Sequence, residues 1–184
     1  ESRTVQRSFL DILACPGCRA DRPFNLEVIA EEGSDVISGV LNCRACAAEF
    51  QIANGIPRFV STAEDYCHNF GFQWQNWKNI QIDRLSGHGL SETRFFNDSR
   101  WEPAWLKDKL VLDAGCGAGR FADVAALHGA RVVACDISAA VDACRDVLST
   151  YGERVECVQA SLYDIPFRDG VFDAVFCMGV IQHT

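Results

Sequence analysis

The chain has 184 residues, 48% of them hydrophobic, and its 17 basic and 25 acidic residues give a formal net charge of −8. That length is sufficient for one medium domain and one small domain, each with a buried core. No segment approaches the roughly 20 consecutive apolar residues that a membrane-spanning helix needs. Acidic residues outnumber basic residues both in residues 1–60 and in residues 61–184, which disfavours a nucleic-acid partner.

The ten cysteines fall into two groups by their spacing. Four of them form two C-x-x-C pairs, at residues 15–18 and 43–46, and the other six are scattered at positions that are mostly apolar in pattern. A scattered free cysteine behaves as a small hydrophobic residue. Disulfide frameworks are typical of shorter, secreted chains. We therefore expect a cytoplasmic protein with reduced thiols and one metal site.

Residues 1–60 are predicted to form a small β-rich module. Apolar runs at residues 26–29 and 36–41 indicate two strands, and a further strand at residues 49–52 is followed by an Asn-Gly pair, a strong hairpin signal. A hairpin that brings two C-x-x-C pairs together supplies four thiolates in a tetrahedral arrangement, which suits Zn²⁺. Because protein ligands fill all four positions, we expect a structural zinc ribbon. Its predicted ligands are Cys15, Cys18, Cys43 and Cys46.

Residues 61–108 are predicted to form an aromatic helical connection. Aromatic and apolar residues at positions 66, 70, 74, 77 and 80 recur at three- and four-residue steps, as on one face of a helix. That face either packs between the two domains or forms a lid over a ligand site. Further along, Ser91 is predicted to cap a short helix at residues 92–96.

From residue 109 onward, the pattern alternates between strands and helices. Alternation of this kind predicts a parallel sheet with right-handed crossovers. Gly129 is predicted to end the first helix, and Ser138 to cap the second. The predicted strands span residues 110–113, 131–135, 155–158 and 172–178.

A glycine-rich turn follows the first of these strands, with the pattern D-x-G-x-G-x-G at residues 113–119. A strand that ends in such a turn and opens a helix is where α/β proteins bind nucleotides. The third glycine of the dinucleotide pattern G-x-G-x-x-G would fall at Arg120, so pyrophosphate binding is the weaker interpretation. Asp136 ends the second strand, where a carboxylate can accept hydrogen bonds from ribose hydroxyls.

The turn resembles motif I of the class I S-adenosylmethionine-dependent methyltransferases. Residues 160–167 and 172–183 resemble two later motifs of that family, G-D-A-x-x-L-P-F and F-D-x-V-x-x-x-x-V-x-x-H. The resemblance implies that the turn aims backbone amides at the donor's carboxylate, that Asp113 holds its amino group, and that Asp136 binds the ribose. It places Ser161, where the family has an acid, near the adenine amino group, and His183 near the acceptor as a general base or a positioning group. The implied donor-site residues are Asp113, Gly115, Cys116, Gly117, Gly119, Asp136, Ile137, Ser161, Leu162 and Met178.

We therefore expect an α/β Rossmann-like methyltransferase fold preceded by a zinc ribbon. The expected domains are the ribbon at residues 1–60, the aromatic linker or lid at 61–108, and the N-terminal half of the S-adenosylmethionine-binding domain at 109–184. The family sheet has seven strands in the order 3-2-1-4-5-7-6, of which strands 3-2-1-4 are expected here. The strand-four edge would be exposed in a truncated chain, or covered by a second copy or a partner chain.

The expected function is methyl transfer from S-adenosylmethionine to a small-molecule metabolite or natural-product intermediate. Two alternatives stay open. The ribbon resembles both the zinc-ribbon partner of certain tRNA and protein methyltransferases and the four-cysteine module of an rRNA methyltransferase. The chain is thus alternatively an rRNA or tRNA methyltransferase that grips RNA with its ribbon, or a non-catalytic partner of another methyltransferase.

Overall fold

The fold is taken from a computed structural model that describes residues 4–60 and 82–180. Its first part is an antiparallel meander of four strands. These are β1 (Phe24–Glu32), β2 (Asp35–Cys43), β3 (Glu49–Ala53) and β4 (Ile56–Arg58). The turn between β3 and β4 has positive φ at Asn54 (54°) and Gly55 (67°), which confirms the predicted hairpin.

The second part is a set of four parallel strands with helices between them. The strands are β5 (Leu110–Ala114), β6 (Arg131–Asp136), β7 (Val155–Gln159) and β8 (Ala174–Phe176). The helices are α1 (Asp83–Ser86), α2 (Leu90–Ser99), α3 (Arg120–Leu127) and α4 (Ala140–Leu148), with 3₁₀ segments at Arg7–Ile12, Pro103–Leu106 and Ser149–Arg154. The spatial order β7-β6-β5-β8 is the expected order 3-2-1-4.

The two sets of strands form one continuous eight-stranded sheet, which the sequence did not predict. Strand β4 pairs in parallel with β7 through Arg58 and Gln159, and the backbone N–H of Phe59 donates to the carbonyl of Gln159 (2.7 Å). The sheet order is β1-β2-β3-β4-β7-β6-β5-β8. The ribbon therefore pairs with the outer edge of β7, the strand that corresponds to strand three of the expected order. The predicted domain boundary at residue 60 falls next to this pairing.

Each face of the parallel strands has its own core. Along β5, Val111 points to the face covered by α3 and α4, and Leu112 points to the opposite face. On that opposite face, Val5, Phe9 and Leu13 pack against the strands. The N-terminal segment thus takes a position that a crossover helix takes in a doubly wound sheet.

Two local predictions were wrong in detail. Ser91 does not cap a helix; it is buried in the first turn of α2, and Asp83 caps that turn by accepting hydrogen bonds from the backbone N–H groups of Ser91 (3.0 Å) and Glu92 (2.9 Å). Strand β8 is shorter than predicted at both ends, and directly before it the carboxylate of Asp173 accepts a hydrogen bond from the backbone N–H of Leu110 (2.8 Å).

Several predicted features lie outside the described residues, namely the aromatic helical face within residues 61–81 and His183. Among the residues that the structure describes, none of the helices has both the length and the apolar character needed to cross a membrane.

Candidate functional site

The glycine-rich turn joins β5 to α3 at the carboxyl edge of the parallel strands. Gly115 and Gly119 have φ of +89° and +91°, a region that side chains rarely adopt. A Cβ atom would lie 2.4 Å from Val180 Cγ2 at Gly115 and 2.9 Å from Cys144 Sγ at Gly119. Both positions therefore require glycine for space as well as for backbone conformation.

The backbone N–H groups of this turn are used within the protein. Those of Gly115 and Cys116 donate to the carbonyl of Cys135 (2.7 and 3.0 Å), and that of Gly119 donates to the carbonyl of Cys116 (2.9 Å). The N–H of Gly117 donates to Asp136 Oδ2 (2.8 Å). A ligand carboxylate at this turn would compete with these acceptors.

Asp113 is a buried carboxyl group with one unused oxygen. It is 2% exposed, and its Oδ2 atom has no hydrogen-bond partner in the described part of the chain. Desolvation by burial and the negative charge of Asp136 raise the pKa of Asp113 to about 8. A hydrogen bond from the backbone N–H of Ala122 acts in the opposite direction and lowers this pKa, but by less. A buried acceptor beside a second carboxylate suits a cationic ligand group.

Asp136 ties the end of β6 to the glycine turn. Its Oδ1 accepts hydrogen bonds from the backbone N–H (2.8 Å) and hydroxyl (2.7 Å) of Ser138, and its Oδ2 accepts the one from Gly117. A carboxylate offers about four lone-pair sites, so one on Oδ2 is open to a ligand hydroxyl. Ser138 Oγ also accepts from the N–H of Ala140 (3.3 Å), consistent with its predicted role at the start of α4.

The remaining predicted residues lie around this edge. Ile137 is 40% exposed beside Asp136, so it offers an apolar surface to a planar base. Ser161 and Leu162 are half-buried, and Ser161 Oγ accepts a hydrogen bond from the backbone N–H of Tyr163 (3.2 Å). Met178 is partly buried against the core on the α3 side.

A groove of about 410 Å³ runs beside β8. It is lined by residues 175–179 and by Arg94, Asp98, Ser99 and Trp101. Five of the lining residues lie in β8 or directly after it, on the side where no strand of the described residues pairs with β8. The groove does not identify the acceptor.

The four predicted metal ligands converge. The Sγ atoms of Cys15, Cys18, Cys43 and Cys46 all lie within 4.8 Å of one another. Two of the pairs, Cys15 with Cys46 and Cys18 with Cys43, are separated by 3.7 Å. Tetrahedral ligands at a Zn–S distance of about 2.3 Å are about 3.8 Å apart, so the donor set and its geometry fit Zn²⁺. The four thiols differ in acidity: burial raises the pKa of Cys15 to about 12, whereas the pKa of Cys43 is lowered to about 7 because the backbone N–H groups of Cys46 and Ala45 outweigh its burial. The assignment of a metal site therefore depends on the donor set and its spacing.

Comparison with known proteins agrees with this geometry. Residues 112–184 match the family model described as a methyltransferase domain, and residues 6–55 match the model of Trm112p-like protein. Each match covers less than half of the chain, and the two matched regions are the two parts of the sheet described above. We call them the methyltransferase region and the ribbon after the proteins that they resemble.

Individual relatives match limited parts of this chain. A probable S-adenosylmethionine-dependent methyltransferase of Mycobacterium tuberculosis is 41% identical over 73 residues, which are 40% of this chain and 26% of that protein. A ubiquinone biosynthesis O-methyltransferase of Methylocella silvestris is 33% identical over 86 residues, 46% of this chain and 34% of that protein. The chain spans well under half the length of the curated relatives that it matches.

Among solved structures, the chain is similar to magnesium protoporphyrin IX methyltransferase from Synechocystis PCC 6803 with bound S-adenosylhomocysteine. It has a TM-score of 0.48 and 26% identity, over 66% of this chain and 59% of that one.

Residues that sequence reasoning missed lie where the ribbon meets the methyltransferase region. Arg19, Arg58 and Gln159 bridge the two parts through hydrogen bonds. One signal was available: Gln159 is a polar residue at the carboxyl end of a strand that is buried at all five positions.

Proposed function

We propose that this protein is an S-adenosylmethionine-dependent methyltransferase that acts on a small-molecule acceptor, and that the described residues form its donor site. One observation carries the proposal. Asp113 and Asp136 end adjacent parallel strands on either side of a glycine turn, and each has an acceptor oxygen with capacity for a ligand. Ligands of open parallel sheets bind at this edge.

Each proposed contact follows from local chemistry. The unpartnered Oδ2 of Asp113 accepts a hydrogen bond from the donor's ammonium group. The free lone pair on Asp136 Oδ2 accepts one from a ribose hydroxyl, and the exposed side chain of Ile137 packs on the adenine. Ser161 and the backbone amide of Leu162 border the adenine edge. Cys116 and Met178 border the methionine portion.

The protein has little chemistry to supply beyond alignment. Bound S-adenosylmethionine provides the methyl group on an activated sulfonium, and the acceptor's lone pair forms the new bond as the carbon–sulfur bond breaks. The chain's residues hold the donor for in-line attack. Where the acceptor carries a proton, a general base must take it, and we propose His183 for that role because histidine titrates near neutral pH.

We propose that the ribbon holds a structural Zn²⁺ on Cys15, Cys18, Cys43 and Cys46. All four ligands come from the protein, so no coordination position is open for catalysis. Metal analysis of freshly purified protein should find one zinc per chain. A zinc-free, fully folded protein would contradict this assignment.

The acidic balance favours a small-molecule acceptor over RNA. With a net charge of −8, the chain lacks the basic excess that phosphate contacts require. RNA binding that weakens steeply with rising salt would support the RNA-methyltransferase alternative. We also propose a cytoplasmic location, and an assembled protein in which a second copy or a partner covers the edge of β8 with which no strand of the described residues pairs.

Calorimetry with S-adenosylhomocysteine tests the donor site directly. The wild-type chain should bind it, and Asp136→Ala should weaken binding about tenfold or more, because a charge-assisted hydrogen bond is lost. Asp11→Ala is the matched control, since that carboxylate is exposed on the N-terminal segment and lies outside the proposed contacts. Absence of binding by the wild-type protein would leave the non-catalytic partner role as the better interpretation.

A further inference from the structure

The first cysteine pair of the ribbon lies against the loop that follows β7. Arg19 comes directly after Cys18, and its guanidinium donates to the carbonyls of Ile165 (2.6 Å) and Phe167 (3.1 Å). The carbonyl between them, that of Pro166, accepts from the backbone N–H of Ala14 (3.0 Å). Residues on both sides of the cysteine pair thus hold three consecutive carbonyls of one loop.

The position of Arg19 depends on the turn around the metal ligands. Its backbone N–H donates to the carbonyl of Cys15 (2.8 Å), and its φ is +60°, which is uncommon for a residue with a side chain. Only surrounding structure sustains such a conformation. The four-thiolate site closes this turn, so it also sets where the Arg19 guanidinium lies.

The last strand of the ribbon makes a second connection. Arg58 donates to Gln159 Oε1 (2.8 Å) and makes a two-pronged contact with Asp142 (2.7 and 3.1 Å). Gln159 Nε2 then donates to the carbonyl of Ile137 (3.0 Å). A buried amide side chain therefore links the ribbon to the backbone next to Asp136.

Both connections end on the same half of the donor site. The loop at residues 161–167 and the Asp136–Ile137 edge are neighbours, because the backbone N–H of Ala160 donates to the carbonyl of Asp136 (3.0 Å). These are the segments proposed to face the adenosine. The hydrogen bonds described for the glycine turn, on the methionine side, go to β6 and to the turn itself.

We infer that the ribbon positions the adenosine half of the donor site, with Arg19 and Arg58 as its positioning residues. The inference rests on the proposed function. Neither arginine touches the donor; each holds a backbone segment that does. Their removal should weaken binding of every ligand that carries the adenosine portion, whatever is attached to its sulfur.

The first experiment compares two arginines that each adjoin a cysteine ligand, one in each cysteine pair. Arg44 follows Cys43, but it donates to the carbonyls of Arg22 (2.8 Å) and Pro23 (3.3 Å) within the ribbon. Arg19→Gln should weaken S-adenosylhomocysteine binding about fivefold, since two charge-assisted hydrogen bonds at a half-exposed side chain are lost. Arg44→Gln should change it less than twofold. Both proteins should keep their zinc, as measured by metal analysis.

The second experiment separates positioning from general destabilisation. Arg19→Gln and Arg58→Gln should weaken binding of 5′-methylthioadenosine and of S-adenosylhomocysteine by the same factor. Asp113→Asn, on the methionine side, should weaken only S-adenosylhomocysteine. Arg7→Gln is the control for Arg58, because it breaks an ion pair with Glu31 on the ribbon surface (2.6 Å). Arg19→Lys should recover part of the affinity by reaching one of the two carbonyls.

The outcomes distinguish the two proposals. If wild-type protein binds neither ligand, the proposed function fails. If it binds both and the Arg19 and Arg58 variants bind them equally well, only the positioning role is overturned. The same follows if Arg19→Gln and Arg44→Gln weaken binding alike, because the effect then comes from the ribbon's integrity and not from its contacts with the loop.

Discussion

Asp113 makes donor binding depend on pH in a way that can be calculated. Its raised pKa, about 8, means that the ligand-free protein holds this carboxyl group mainly protonated at pH 7. A bound ammonium group favours the carboxylate, so the carboxyl group releases its proton on binding. The ligand's α-amino group must be protonated to pair with it, and beside its own free carboxylate that amine keeps its proton to a higher pH than the N-terminus of a peptide, whose pKa is about 8.

These two titrations predict a bell-shaped affinity for S-adenosylhomocysteine with its maximum above pH 8. Below that maximum the carboxyl group of Asp113 sets the profile, so affinity should fall about fivefold from pH 8 to pH 7 and about 50-fold from pH 8 to pH 6. Binding should release protons net at pH 7, because the carboxyl group loses its proton when the ammonium group binds.

Calorimetry in buffers of different ionisation enthalpy measures both quantities. Asp113→Asn should remove the proton release at pH 7 and flatten the affinity between pH 6 and pH 7. Asp136→Asn should move the optimum to lower pH, because the charge that helps raise the pKa of Asp113 is gone. A wild-type affinity that varies less than twofold between pH 6 and pH 8, or an unchanged profile in Asp113→Asn, would refute the reasoning.

Three further predictions concern stability. Gly119→Ala should destabilise the fold by about 1–3 kcal/mol in urea denaturation, since the new Cβ meets Cys144 and the backbone is strained; Gly170→Ala, which has open space at similar φ, should cost less. Burial raises the pKa of Glu156 from 4.5 to about 7, so the stability that its protonated form contributes is fully present below about pH 4.5 and is lost as the pH rises to 7. The free energy of unfolding of Glu156→Gln should therefore increase relative to that of the wild type between pH 5 and pH 8, by up to about 3 kcal/mol. Parallel plots of unfolding free energy against pH for the two proteins would contradict this. Chelation of zinc should lower the melting temperature and raise hydrogen exchange first in β1–β3, and unchanged exchange there would argue against a structural metal.

The local pattern of the sequence predicted the parallel strands and the cysteine site well. Strand order 3-2-1-4 follows from the family that the glycine turn resembles, and the clustering of Cys15 with the other three ligands follows from two short C-x-x-C motifs whose geometry is nearly self-contained. The predicted donor-site residues gather at one sheet edge, since parallel strands end together. Ser91 was misassigned because its helix is capped by Asp83, which lies eight positions earlier and outside the usual capping distance.

The joining of the two sheets had no local signal. It depends on one pairing between Arg58 and Gln159, which are far apart in the chain, and no periodicity records such a contact. Sequence reasoning therefore separated the ribbon from the methyltransferase region. The polar Gln159, at the end of a strand that is buried at all five positions, was a hint that the strand had a partner.

The pairing of β4 with β7 also orders the events of folding. Strands β1 to β4 pair with sequence neighbours, so they can form soon after residue 58 leaves the ribosome. Strand β7 lies about a hundred residues later, and its pairing closes a loop of that length. During synthesis, β4 is therefore an exposed strand edge until β7 arrives, and capture of β4 by another chain in that interval is the main misfolding hazard of this architecture.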